Sequence, residues 1–316
     1  MNIIEVKKLK KYFPIRKFGR KSFVRAVDGV SFHTEQGKVL GVLGESGCGK
    51  STLGLVLSRI EKETAGEIIF KGKKISGKSK LDKQTRRDIQ IIFQNPYDSF
   101  DPRLTILDSM IRPLKIHGIG QNTSEMREIV ESFLSKAGFE PPSAFLKRYP
   151  YELSGGQLQR ISVLRAMMLD PSFLIADECV SMLDLSVRAS VINLLLDLVH
   201  LKNTSMMFIT HDISLGKFVS DKLAIIYLGK IVEIGDAEEI YRNPLHPYTK
   251  ILISYSPSVF EKKEKIRPKE LIDTSQEPTE GCNFAARCPI ATRECFTTQP
   301  ELKQYTGNRQ VACLKV

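Results

Sequence analysis

Val39-Leu40-Gly41-Val42-Leu43-Gly44-Glu45-Ser46-Gly47-Cys48-Gly49-Lys50-Ser51-Thr52 decides how the rest of this chain is read. Residues 39–43 are an apolar run without the alternation of a half-exposed strand, which predicts a strand buried on both faces. A glycine-rich turn follows, and residues 51–57 open a helix. Gly44-x-x-x-x-Gly49-Lys50-Ser51 is the pattern of a phosphate-binding loop, in the strand–loop–helix setting that gives the pattern meaning. Glycines let the backbone turn tightly, so that successive N–H groups point at phosphate oxygens. The helix N-terminus adds partial positive charge. Lys50 would reach the β- and γ-phosphates of a nucleotide, and the Ser51 hydroxyl would ligate Mg²⁺.

The 316 residues can hold one large domain and a smaller one. A hydrophobic content of 42% and a charged content of 26% are those of an ordinary globular protein. Even the longest apolar stretches, such as residues 192–199, are too short to span a membrane. The chain enters a strand at its first residues, without the basic and apolar regions of a signal peptide, so a cytoplasmic protein with reduced cysteines is expected. The net charge of +11 is spread along the chain and does not by itself indicate nucleic acid.

Upstream of the loop, residues 3–9 and 24–32 read as strands, the second interrupted by Asp28-Gly29. Between them Tyr12-Phe13-Pro14 precedes a basic stretch, residues 16–21. An aromatic there suits packing on a sheet edge as well as stacking on a purine ring. Downstream, residues 66–70 and 88–93 are further strands, the latter ending in Gln94-Asn95-Pro96. Residues 104–114 and 125–137 have helical periodicity, the second capped by Thr123 or Ser124. Leu153-Ser154-Gly155-Gly156-Gln157 then opens another helix, a second anion-ready N-terminus in the chain. Residues 173–176 form a strand that ends in Asp177-Glu178. Paired carboxylates at a buried strand end need a cation, and Mg²⁺ at Asp177 with a water at Glu178 would supply the reason. A helix over 186–201 and a strand over 205–209 lead to Thr210-His211-Asp212, and residues 223–227 and 231–234 read as a hairpin around Gly229.

Phosphate loop, Gln94, Leu153–Gln157, Asp177-Glu178 and His211, in that order, resemble the ATP-binding subunit of ABC transporters over roughly residues 3–240. The resemblance implies an α/β P-loop ATPase domain over 1–243, with an antiparallel β subdomain and a helical insertion at about 97–170. It implies that ATP and Mg²⁺ are bound by Gly44, Glu45, Ser46, Gly47, Cys48, Gly49, Lys50, Ser51 and Thr52, with Asp177 and Gln94 supporting the metal. Glu178 is then the general base, His211 the contact to the γ-phosphate, and Phe13, or Tyr12, the adenine-stacking ring. Ser154, Gly155, Gly156 and Gln157 would clamp the nucleotide of a partner subunit. Asp184 lies in the segment that crosses between subunits. Two departures stand out: Cys179 replaces the proline usual after the glutamate, and Leu164 stands where a small residue is common.

Residues 25–32, 44–54, 95–103 and Asn243-Pro244-Leu245-His246-Pro247-Tyr248-Thr249 resemble, more finely, the dipeptide/oligopeptide and nickel importer branch, and its second ATPase subunit more than its first. That implies a second ATPase subunit, two transmembrane permease subunits and an external solute-binding protein as partners, at the cytoplasmic face of the membrane. Nickel or oligosaccharide are alternative solutes. A nucleic-acid-handling ATPase is the rival class, supported by net charge alone; long heptad arms or a zinc insertion would favour it, and the sequence has neither.

After about residue 248 the chain changes character, and residues 261–278 read as a charged, proline-containing linker. Cys282, Cys288, Cys295 and Cys313 follow in a C-terminal extension, residues 244–316. Four thiolates can ligate an iron–sulfur cluster or zinc, or stand unligated, and the spacing leaves these open. The family resemblance implies a [4Fe–4S] cluster. Cys48, in an electropositive loop at a helix start, is expected to be a reactive thiol or, equally, a small filler.

Overall fold

The computed structural model describes residues 1–17, 20–77, 80–255 and 280–316, so the expected linker at 261–278 lies outside the described residues. The described chain divides into two compact units. One comprises Met1, Glu35–Gly37 and Ser79–Met207; the other comprises Asn2–Thr34, Lys38–Lys78 and Phe208–Val316. The strand Ser205–Thr210 carries the chain from the first into the second.

The first unit is mostly helical. Its strands Ile89–Ile92 and Phe173–Asp177 pair in parallel, Ile89 against Phe173 through Ile92 against Ala176. Phe173–Asp177 is buried at every position, as its unbroken apolar run predicts. Helices Ile106–His117 and Thr123–Lys136 form where their periodicity places them. The second is capped by Asn122, whose side chain accepts from the Glu125 N–H, one position before the residues expected. An asparagine carbonyl caps as well as a hydroxyl, and the choice among adjacent polar residues is made by backbone geometry.

The second unit holds two sheets. Strands Arg20–Glu35, Asn2–Lys17, Ala65–Phe70 and Lys73–Lys74 lie side by side in that order. The first two are far longer than residues 3–9 and 24–32, because the strand runs on through Tyr12-Phe13-Pro14. Val39–Leu43 belongs to the other sheet. It pairs in parallel with Lys222–Tyr227, which turns at Gly229 into the antiparallel Lys230–Asp236. The hairpin stands as the sequence predicts. Beyond it Arg309–Val311 and Lys303–Thr306 extend the sheet, so the C-terminal segment pairs with the strands that flank the phosphate loop. Tyr227, Tyr248, Phe284 and Cys288 share one core with Leu43, Leu223 and Ile225. No helix among the described residues is long and apolar enough to cross a membrane.

Glu233 and Arg309, 0% and 1% exposed, form the most deeply buried ion pair described. The Glu233 carboxylate accepts from Arg309 Nη2 at 2.5 Å and Nε at 3.1 Å, and from the Leu245 and His246 N–H groups at 3.1 and 3.0 Å. Burial drives the His246 imidazole down to about 3, so it stays neutral, and its Nδ1 accepts from the Tyr248 N–H. Removing one member of a buried pair strands the other. Arg309→Met is expected to destabilise the full-length chain by about 3–5 kcal/mol. Adding Glu233→Gln should recover a large part, because no charge is then left unpaired. Urea midpoints of the single and double variants check this; a single variant within experimental error of the parent would refute it.

Candidate active site

The phosphate-loop motif folds as its sequence demands. Val39–Leu43 is buried throughout, and Lys50–Leu57 is a helix. Gly49 stands at the N-cap with φ +103°, where a Cβ would come within 1.9 Å of the Ala26 carbonyl oxygen. Only glycine fits both the left-handed backbone and that approach. The cap has no side chain, so it makes no side-chain capping hydrogen bond to the helix N-terminus. Lys50 is 4% exposed, and its ammonium donates to the carbonyls of Gly44, at 2.8 Å, and Glu45, at 3.0 Å. The cation is thus held against the loop that a phosphate would enter. Ser51 is exposed on the first turn.

Nearby backbone closes around the loop. The Gly229 N–H donates to the Cys48 carbonyl and the Asp28 N–H to the Gly229 carbonyl. Tyr12 donates its hydroxyl to Asp28 and so has a structural task. Burial would raise the Asp28 carboxyl, but Tyr12, Lys230 and Arg25 outweigh it and the group is held low. Phe13 is half-buried, with the Lys11 ammonium 4.6 Å from its ring centre.

In the other unit Gln94, Glu178 and Ser181 come together. The Gln94 amide lies 3.4 Å from Glu178 Oε2 and 3.3 Å from Ser181 Oγ. Asp177 is buried at the end of its strand, and the chain turns sharply at Glu178, a non-glycine residue with φ +42°. The Ser181 N–H and hydroxyl both donate to the Glu178 carbonyl, at 3.0 and 2.9 Å, which holds the turn. Cys179, in the place of the usual proline, is fully buried, and burial pushes its thiol up to about 12. Leu164 is likewise buried in the helix Gly155–Met167.

Ser154 caps that helix through a reciprocal box. Its hydroxyl accepts from the Gln157 N–H, and the Gln157 side chain accepts from the Ser154 N–H. A Cβ on Gly156 would meet Val187 Cγ1 at 2.3 Å, so this glycine also serves close helix packing. Asp184 caps the helix Leu185–Leu201, and hydrogen bonds from the Val187 N–H and Ser186 keep its carboxyl low. His211 is exposed just before Asp212, whose carboxylate caps Ile213–Val219.

One expectation is corrected. Cys282, Cys288, Cys295 and Cys313 line one pocket with Phe284 and Pro247, yet no group of three or more His, Cys, Asp or Glu side chains among the described residues is arranged to hold a metal ion. The iron–sulfur reading is therefore overturned. Burial pushes the Cys282 and Cys313 thiols up. Among the described residues no disulfide joins the cysteines. Cys48, in turn, is 4% exposed, and burial raises its thiol more than the Lys50 charge lowers it. Both observations favour the small filler of the two alternatives over the reactive thiol. Sequence reasoning also missed Tyr248 and Arg287, which contact Glu45 from far along the chain.

The model of the ABC transporter family matches residues 27–181, and that of the oligopeptide/dipeptide transporter C-terminal region matches residues 232–295. An oligopeptide transport ATP-binding protein of Bacillus subtilis, AppF, is 44% identical, covering 98% of this chain and 96% of the relative. The dipeptide transport ATP-binding protein DppF of Haemophilus influenzae is also 44% identical, over 98% and 95%. That of Escherichia coli is 42% identical, over 98% and 92%. Among solved structures, a dimeric post-hydrolysis state of the ATP-binding cassette MJ0796, bound to ADP and Pi, superposes with a TM-score of 0.65. It is 27% identical, over 74% of this chain and 98% of that one.

Burial makes Cys48 testable. In the native full-length chain at pH 7.5, N-ethylmaleimide should modify Cys48 roughly a hundredfold more slowly than in urea, since the reactive species is an accessible thiolate. MgATP should leave that slow rate unchanged. Mass spectrometry of the labelled peptide reads both rates, and rapid native labelling that MgATP blocks would restore the reactive-thiol reading.

Proposed function

The chain belongs to the ABC transporter family, among the ATP-binding subunits of oligopeptide and dipeptide transporters, and on that premise we propose that it hydrolyses ATP to drive import of dipeptides or oligopeptides. The observation that carries the reading is the loop at 44–52, set between a buried strand and a helix capped by Gly49 without a side-chain hydrogen bond, with the Lys50 ammonium held beside it. Residues 1–243 act as the ATPase domain and 244–316 as an extension characteristic of the branch. The working assembly pairs this chain with a second ATPase subunit, two permease subunits and an external solute-binding protein, at the cytoplasmic face of the membrane. No structural observation favours a nucleic-acid partner over these.

The Ser51 hydroxyl in the second unit, and the Asp177 carboxylate and Gln94 amide carbonyl in the first, are each hard oxygen ligands of the kind Mg²⁺ takes. Held by such oxygens, Mg²⁺ would neutralise charge on the β- and γ-phosphates. This chain's residues do the rest. Lys50 exchanges the Gly44 and Glu45 carbonyls for phosphate oxygens. Glu178 accepts the proton of the attacking water, and the Gln94 amide beside it holds the carboxylate in one orientation. His211 donates to the γ-phosphate, and Phe13 stacks on the adenine. At the helix start Ser154 to Gln157, where the capping box takes the N–H groups of Ser154 and Gln157, the Gly155 and Gly156 N–H groups serve the nucleotide of the partner subunit, with Asp184 beside the crossing. Opening of that pair after hydrolysis passes motion to the permease through the Gln94 loop.

Glu178→Gln is expected to lower turnover by a factor of about a hundred or more, the range of general-base assistance, while ATP affinity is kept. Lys50→Ala should instead abolish tight ATP binding, because it removes the loop's cation. Calorimetry and phosphate release on the complex assembled with its partners separate the two effects. Near-parental turnover by Glu178→Gln would remove it as the base, and unchanged affinity in Lys50→Ala would remove the loop as the nucleotide site.

A further inference from the structure

Glu45 introduces a negative charge into a loop that is otherwise built to receive phosphates. Every polar group of this residue is engaged. Its N–H donates to Tyr248 Oη at 2.9 Å, and its carbonyl accepts from Lys50 Nζ at 3.0 Å. Its carboxylate takes two parallel hydrogen bonds from Arg287, Nη1 to Oε2 at 2.8 Å and Nη2 to Oε1 at 3.0 Å. Arg287 belongs to the C-terminal segment, 242 positions along the chain, and is only 6% exposed. Its guanidinium lies beside the rings of Tyr227 and Phe284, at 5.8 and 5.9 Å from their centres, and Nη1 also reaches Tyr227 Oη at 3.4 Å. The hydrogen bonds with Glu45 hold the guanidinium even further above its usual range, despite burial.

We propose that Arg287 is a positioning residue of the nucleotide site: it neutralises and anchors Glu45, and through Glu45 it sets the phosphate loop and the resting place of Lys50. The C-terminal segment thereby takes part in ATP binding without touching ATP. A planar fork suits this task better than an ammonium, since it fixes both carboxylate oxygens at once. With Arg287 removed, the Glu45 carboxylate stands uncompensated beside an incoming polyanion. A unit like charge at this range, in the effective dielectric of a protein, weakens affinity on the order of tenfold. The proposal rests on the reading that the loop binds nucleotide.

The test is a rescue cycle in the full-length chain, with MgATP as the titrant for calorimetry and phosphate release from the assembled complex for KM and kcat. Arg287→Ala should raise the Kd and KM for ATP roughly tenfold or more, with a much smaller change in kcat. Arg287→Lys should recover part of the loss, because charge returns without the fork. Adding Glu45→Gln to Arg287→Ala should bring Kd back to within about threefold of the parent, because a neutral amide needs no counter-ion. If Arg287 only held the C-terminal segment folded, Glu45→Gln would rescue nothing, and that outcome overturns the proposal. Unchanged Kd in Arg287→Ala overturns it as well. A parent chain that fails to bind MgATP overturns the nucleotide reading itself, and the proposal with it.

Discussion

A phosphate loop works only if its backbone is shaped before the phosphate arrives, and much of the second unit is arranged to impose that shape. The constraint is one of close backbone packing. Gly44 and Gly49 leave no room for a Cβ, since one would meet the Ile226 carbonyl and the other the Ala26 carbonyl. Cys48 and Asp28 are tied to the turn at Gly229 by main-chain hydrogen bonds. Each neighbouring strand therefore contributes backbone, not side chain, to the wall behind the loop. Preorganised donors of this kind are effective because they need no rearrangement as charge builds.

The C-terminal segment is fastened to this wall by two arginines. Arg309 is buried against Glu233 in the hairpin, and Arg287 against Glu45 in the loop. The pairs differ in kind. Glu233 is fully enclosed and satisfied by main-chain N–H groups as well as by its arginine, which makes it a fixed structural node. Glu45 is half-exposed and sits where ligand charge would arrive. Strand pairing of Arg309–Val311 with Lys230–Asp236 brings the segment to the sheet edge, and the ring cluster of Tyr227, Tyr248 and Phe284 fills the space beneath.

Legibility in the sequence followed the range of the forces involved. Residues 39–52 could be read directly because an apolar run, a glycine spacing and a helix start are local patterns. The hairpin at Gly229 and the strand ending at Asp177 were legible for the same reason. The full length of Asn2–Lys17 and Arg20–Glu35 was not, since polar and aromatic residues along them are held by pairing with neighbouring strands. Tyr248 and Arg287 carry no local mark of their contact with Glu45, because sheet and tail must assemble before the three meet. The cysteines show the opposite failure. Their crowding is plain in the sequence, but metal ligation needs deprotonated sulfurs converging on one point, which spacing alone does not provide.

Glu178 holds its carboxylate at a turn where the backbone takes φ +42°, a conformation that costs a residue with a Cβ about 1–2 kcal/mol. Asparagine or glycine would relax it. With Glu178 in the proposed role of general base, position 178 is one where resilience to heat and usefulness to the cell pull in opposite directions. Directed selection for thermal hardiness alone would gather substitutions there, and in that proposed role the hardier proteins would be idle. The same tension makes the glutamate a natural place to look when homologues that no longer turn over nucleotide are sorted from those that do.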